Sequence, residues 1–113
     1  MPPPDDVSVL RDIRDSARFI ADTLSDIQRG RASREDRYVL RALEREFTII
    51  GEAVKRLTAD FRERHPTIVW KEWAGLRDVL VHAYDTIDHP QLWDYAATDV
   101  PLLLAFLERF ELD

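Results

Sequence analysis

Along most of this chain the apolar residues recur at intervals of three and four. Leu10, Ile13, Ala17, Ile20, Leu24 and Ile27 keep that rhythm without a break. It is the period of one face of an α-helix, whereas the apolar positions of a half-buried strand alternate. The sequence holds only three glycines, and no apolar run is bracketed by turn residues as a strand would be. The chain is therefore predicted to be all-α, an antiparallel bundle of four main helices. Its 113 residues suffice for a single domain, 1–113, with one modest core.

The first helix is predicted over residues 7–28, with Asp5 or Asp6 capping its start and residues 1–6 (MPPPDD) forming a short frayed arm. Gly30 should end it. Ser33, followed by Glu35 and Asp36, reads as the cap of a second helix running from 34 to 61 or a little beyond. Pro66 forbids continuation from His65. The third helix is expected over 70–84 or slightly less, burying Trp70, Trp73, Leu76, Leu80 and Ala83. The fourth, over 90–110 with Asp88 as its cap, carries the seam Trp93, Ala96, Val100, Leu103, Leu107 and Phe110. Pro101 inside it is expected to kink it or split it in two.

The second helix has two apolar seams. One is Val39, Leu43, Phe47, Ile50, Val54, Leu57 and Phe61; the other is Ala42, Ile49 and Ala53, interrupted by Glu46. So wide a face needs neighbours on two sides. A second copy of the same helix across a two-fold axis would serve, and so would a larger core within one chain. Gly51 costs about 1 kcal/mol relative to alanine in mid-helix, and a close helix–helix approach would explain it.

The net charge of −6 argues against nucleic-acid binding by bulk electrostatics, though not against a local basic groove. Six arginines fall between Arg29 and Arg45, and Arg37, Arg41 and Arg45 make one stripe at intervals of four. A solvated face with Arg41 and Arg45 paired to nearby acids is one reading. A surface that tracks phosphates or meets a protein partner is the other. There is no cysteine, and no pair of histidines is spaced to share a metal with a third acid. No apolar run is long enough for a membrane span and no cleavable leader is evident, so a cytoplasmic protein with no membrane contact is expected.

Chemistry concentrates in Arg77, Asp78, His82 and Tyr84, an Arg-x4-His-x-Tyr run near the end of the third helix. Asp78 and His82, four apart, share a face, so the carboxylate could fix the imidazole tautomer. Arg77 and His82 lie roughly 140° apart on a straight helix. They meet over one substrate only if the helix distorts or ends, if the arginine stem reaches round, or if a second copy completes the site. Arginine offers a rigid fork for a phosphodiester and histidine is the usual proton shuttle. That pair suits metal-free cleavage of RNA, in which the 2′-hydroxyl is the nucleophile. The structural alternatives are a salt bridge from Arg77 to Asp78 or Glu72, a C-terminal cap at His82, and half-buried packing of Tyr84.

GLRDVLVHAYDTID, residues 75–88, resembles the Arg-x4-6-His-x-Tyr signature of the HepT family of HEPN-domain toxins. LRALEREFTIIGEAVKRL (40–57) is similar to the family's second helix. The Trp-x-x-Trp-Ala-Gly-Leu-Arg approach, the Ile-Asp after the tyrosine and LWDYAATDVPLLLAFL (92–107) fit in the same order. The residue after the motif arginine is often asparagine in the family, and here it is Asp78. The resemblance implies a HEPN-like bundle and a homodimeric, metal-independent endoribonuclease without a cofactor, acting as the toxin of a toxin–antitoxin pair. It implies that Arg77 holds the phosphate, that His82 moves the proton, and that Asp78 orients His82 or an arginine of the other copy. It implies an RNA substrate, with tRNA a candidate, and a minimal nucleotidyltransferase antitoxin that adenylylates Tyr84. A non-catalytic helical subunit that binds a nucleotidyltransferase would share many of these features.

Overall fold

The computed structural model describes residues 2–113; Met1, part of the expected arm, lies outside the described residues. Five helices follow one another: α1, Pro4–Gln28; α2, Arg37–Arg56; α3, Ala59–Arg64; α4, Trp70–His82; and α5, His89–Leu107. A single 3₁₀ turn, Tyr84–Thr86, joins the last two. Among the described residues there is no strand, and no helix is long and apolar enough to cross a membrane. The four long helices are the predicted bundle; α3 is an addition.

The apolar seams read from the sequence close on one core. Leu10, Ile13, Ala17 and Ile20 of α1, Leu43, Phe47, Ile50 and Val54 of α2, and Ala96, Val100, Leu103 and Leu107 of α5 are almost fully buried. Arg56 near the end of α2 pairs with Asp12 near the start of α1, and Arg14 of α1 pairs with Asp113 beyond α5. Helix α1 is therefore antiparallel to both α2 and α5. Helix α2 packs on both α1 and α4, and Phe47 of its first seam stacks on Trp73 of α4 with ring centroids 6.1 Å apart. Two neighbours in the same chain thus serve the wide face of α2, although of the second seam only Ala53 is buried while Ala42 and Ile49 stay partly exposed.

Several boundaries differ from expectation. The second helix does not run to Phe61. Leu57 turns extended, with ψ of 143°, and Thr58 caps α3 through a bond from Phe61 N–H to its Oγ. The cause is Asp6, whose carboxylate accepts from Thr58 N–H at 2.9 Å and from Thr58 Oγ–H at 2.7 Å. Pro3 is the N-cap residue of α1 and no side chain caps it: Asp5 and the fully buried Asp6 lie within the first turn, so residues 4–6 belong to α1 rather than to a frayed arm. Asp36, not Ser33, caps α2, accepting from the amides of Tyr38 and Val39; Ser33 bonds Glu35 instead. Gly30 adopts φ of +74° at the end of α1, and Asp88 caps α5, both as expected. Helix α5 is not split at Pro101. Pro101 and Ala97, whose carbonyl loses its partner, both face solvent, where water can replace the missing bond.

Candidate active site

The motif is built on α4. At its start the buried Trp70 donates its indole N–H to the His65 carbonyl at 3.0 Å. Helix α4 crosses α2 at Gly51, where a Cβ would sit 2.7 Å from the Trp73 carbonyl oxygen and closer still to the Arg77 Cβ. Glycine is required because no side chain fits between the two backbones. The close approach predicted for Gly51 is thus real, and its partner is α4 of the same chain.

That crossing fixes where Arg77 leaves the helix. Its guanidinium donates to Asp78 at 3.1 Å and, more loosely, to Glu52 of α2 at 3.5 Å. Lys55, also from α2, pairs with the same Asp78 oxygen. Hydrogen bonds from Lys55 first, then from Arg77, hold the Asp78 carboxyl below the usual carboxylate range. The Arg77 side chain is only 23% exposed, and among the described residues its Nε–H has no partner. Asp78 and Glu52 hold the terminal nitrogens in place, and the unpartnered Nε–H is buried.

His82 is the last residue of α4, and Ala83 closes the helix by donating its backbone N–H to the Val79 carbonyl at 2.8 Å. Its side chain is exposed and hydrogen-bonds to no other described residue. The Asp78–His82 pair suggested by their four-residue spacing does not form within one chain, because Asp78 is committed to Lys55 and Arg77. Helix α4 is not interrupted before His82 but ends there, one of the conditions set for Arg77 and His82 to meet; no hydrogen bond joins their side chains to each other among the described residues. Tyr84, in the 3₁₀ turn, is 74% exposed, not half-buried. The structural alternative for Arg77 holds in part: it pairs with Asp78, but with Glu52 rather than Glu72.

Arg37, Arg41 and Arg45 all point outward. Among the described residues only Arg41 of the three has a carboxylate partner, Glu44 at 3.2 Å. Glu44 also holds His89, at the start of α5, at 2.7 Å. Sequence reasoning missed Glu52 and Lys55. Glu52 follows Gly51 directly and Lys55 lies one turn further along α2, so both would have been found had the close approach been assigned to α4. It also missed a groove of about 570 Å³ between α4 and α5, bordered by the exposed side chains of Val69, Val79 and Leu102.

Residues 13–110 match the model of the family described as HepT-like, "Ribonuclease HepT-like". The chain belongs to that family. The matched span takes in Arg77, Asp78, His82 and Tyr84 together with Gly51 and the arginine stripe. Among HepT-like relatives, a Methanocaldococcus jannaschii protein named as a candidate RNase is 42% identical over 95 residues, 81% of this chain and 84% of the relative. A Thermococcus cleftensis protein, named as a probable ribonuclease HepT, is 45% identical over 71 residues, 63% of this chain and 61% of the relative. A third, from Caldanaerobacter subterraneus subsp. tengcongensis and also named as a candidate RNase, is 42% identical over 69 residues, 61% of this chain and 62% of the relative. The chain spans about three-fifths of the length of these last two. No solved structure matches.

Proposed function

We propose that this HepT-like protein is a toxin-type endoribonuclease that cleaves RNA without a metal ion, and that it works as a homodimer. The observation that carries the reading is the contrast within the motif. Arg77 is anchored by carboxylates, loosely on the Glu52 side, while the side chains of His82 and Tyr84 are exposed just beyond it. A phosphodiester arriving there would displace the loose Glu52 contact and take the guanidinium fork. His82 removes the proton of the 2′-hydroxyl or returns one to the departing 5′-oxygen. The 2′-oxygen bonds to phosphorus as the bond to the 5′-oxygen breaks, and Arg77 offsets the charge that builds on the phosphoryl oxygens.

A second copy supplies what one chain lacks, a partner for the His82 imidazole. On the wheel of α4, His82 lies beside Gly75 and Val79, which border the groove toward α5. A copy seated in that groove comes up against His82, and Asp78 or Arg77 of one copy then serves the other. Three large apolar side chains left exposed around one groove favour an interface there. The same exposure makes Tyr84 accessible to a nucleotidyltransferase antitoxin. AMP on its oxygen would place bulk and negative charge where an RNA phosphate must bind.

The test uses purified protein with tRNA and messenger RNA in the presence of a chelator. Wild-type protein should cut, His82→Ala and Arg77→Ala should not, and an RNA bearing 2′-deoxyribose at the cut position should resist. Cleavage by either variant at the wild-type rate removes its assigned role. Absence of any cleavage by the wild type favours the other reading, a helical subunit that only binds a nucleotidyltransferase; the unsupported His82 imidazole of the single chain is compatible with it. Intact mass after co-expression with a nucleotidyltransferase, read for AMP increments lost in Tyr84→Phe, tests the modification.

A further inference from the structure

Among the described residues Tyr38 is the most exposed large hydrophobic side chain, at 88%. Nothing in the fold requires an aromatic ring there. It sits in the first turn of α2, after the Asp36 cap, and its side chain supports no packing cluster. Its surroundings are what single it out. On the wheel of α2, Arg37, Arg41, Arg45 and Tyr38 fall within one sector of about 100°, with Tyr38 at the edge next to Arg45. Arg37 and Arg45 have no carboxylate partner among the described residues. The Arg41–Glu44 pair is exposed on the arginine side and gives way readily to a competing anion. This is a basic strip with an aromatic ring beside it, on a protein whose net charge is −6.

The strip is also in line with the motif. Continuing along the same sector of α2 leads to Glu52, which accepts from Arg77. Tyr38 and Glu52 are fourteen residues apart, about 21 Å along the axis. The arginines stand about 6 Å apart along that line, a spacing that suits successive phosphates of an extended strand. A positively charged track with a stacking ring is the arrangement that holds single-stranded nucleic acid without reading its sequence.

We propose that this face of α2 is a binding subsite for single-stranded RNA flanking the cleaved bond. Arg45, Arg41 and Arg37 take consecutive phosphates leading away from Arg77, and one base stacks on the Tyr38 ring. The subsite rests on the ribonuclease reading for its substrate but not for its test. Duplex RNA keeps its bases stacked within the helix, so it gains the phosphate contacts without the ring.

The experiment is fluorescence anisotropy of a 5′-labelled single-stranded RNA, and of the matching duplex, against full-length His82→Ala protein, which binds without cutting. Tyr38→Ala should weaken single-strand binding roughly 5- to 100-fold and leave duplex binding nearly unchanged. Tyr38→Phe, which keeps the ring face, should bind as the parent does. Arg45→Gln should lower the slope of log affinity against log salt by about 0.7. Tyr38 is solvent-exposed, so these variants fold; circular dichroism confirms it. Parental affinity in Tyr38→Ala overturns the subsite, and so does an equal loss in Tyr38→Phe, or no single-strand binding by the parent. If Tyr38→Ala keeps its RNA affinity but loses a co-expressed nucleotidyltransferase, the face is a protein contact and the subsite is wrong. Tyr38-dependent binding by a protein whose wild type never cuts RNA would uphold the subsite and reject the nuclease.

Discussion

A histidine stands near each end of α4, and the two have opposite surroundings. Before its start, His65 closes α3 and lies among rings, with centroids of Phe61 at 4.5 Å, Phe106 at 5.4 Å and Phe110 at 5.5 Å. Its carbonyl accepts from the buried Trp70 indole. At the other end the exposed His82 side chain meets no ring and makes no hydrogen bond among the described residues, and the exposed Tyr84 lies two residues on. One histidine is part of what holds α3, α4 and α5 together; the other costs the fold almost nothing to change. The difference shows that a residue type suited to proton transfer is informative only where the core has no use for it.

The contrast can be broken most sharply by substituting both. His82→Ala should lower cleavage by roughly 100- to 10,000-fold, the usual weight of a general acid–base group, with an unchanged melting temperature. His65→Ala should do the reverse, costing about 1–2 kcal/mol by opening the aromatic nest while each folded molecule still cuts. Comparable activity losses in both, measured per folded molecule, would mean that the ends of α4 are not functionally distinct.

Next in size is Gly51→Ala, aimed at the crossing that holds the middle of α4. The methyl group meets the Trp73 carbonyl and the Arg77 Cβ, neither of them a flexible tip, so α4 itself must shift. Overpacking of this kind costs about 1–3 kcal/mol. It should also reduce cleavage beyond the loss of folded protein, because Arg77 moves with the backbone. A variant as stable and as active as wild type in denaturant titrations and cleavage assays would show that α2 and α4 do not approach so closely.

Much of this arrangement can be read in the sequence, and the parts that cannot have a common cause. The helices, their buried seams, the Gly30 and Asp88 termini and the close approach at Gly51 all follow from local spacing and residue type. The break after Leu57 does not. Val54, Leu57 and Phe61 keep helical spacing, and no proline or glycine interrupts them. The chain turns there because of Asp6, which is distant in sequence. The same holds at the motif. The spacing of Asp78 and His82 suggested a pair, but Lys55 and Arg77 claim the carboxylate first, and Lys55 comes from another helix. The prediction that isolates this tertiary control is Asp6→Ala. It strips Thr58 of two hydrogen bonds and should cost about 1–2 kcal/mol, the lower part of the range for a lost buried acceptor because Thr58 can turn to water. Amide exchange at Thr58 should rise with it; unchanged protection there would assign the break to local sequence after all.

The smallest expected effect belongs to the packed end, and it depends on pH. Burial pushes the His65 imidazole below its ordinary value of 6.5, and the neighbouring charges of Arg109 and Arg64 push the same way. The folded protein thus binds this proton less tightly than the unfolded chain does. The stability it contributes is complete above pH 6.5, declines as pH falls from there toward the depressed folded value, and levels off below that. Asp78 acts in a separate window. Its folded value is also depressed, but from 3.8, so its contribution is present above that pH and is lost only in stronger acid. Melting temperatures from pH 7.5 to 5 should therefore fall for wild type and fall less steeply for His65→Phe, which keeps a ring in the nest and cannot titrate. Parallel curves for wild type and His65→Phe would mean that neither burial nor the charges of Arg109 and Arg64 weaken proton uptake by the packed histidine.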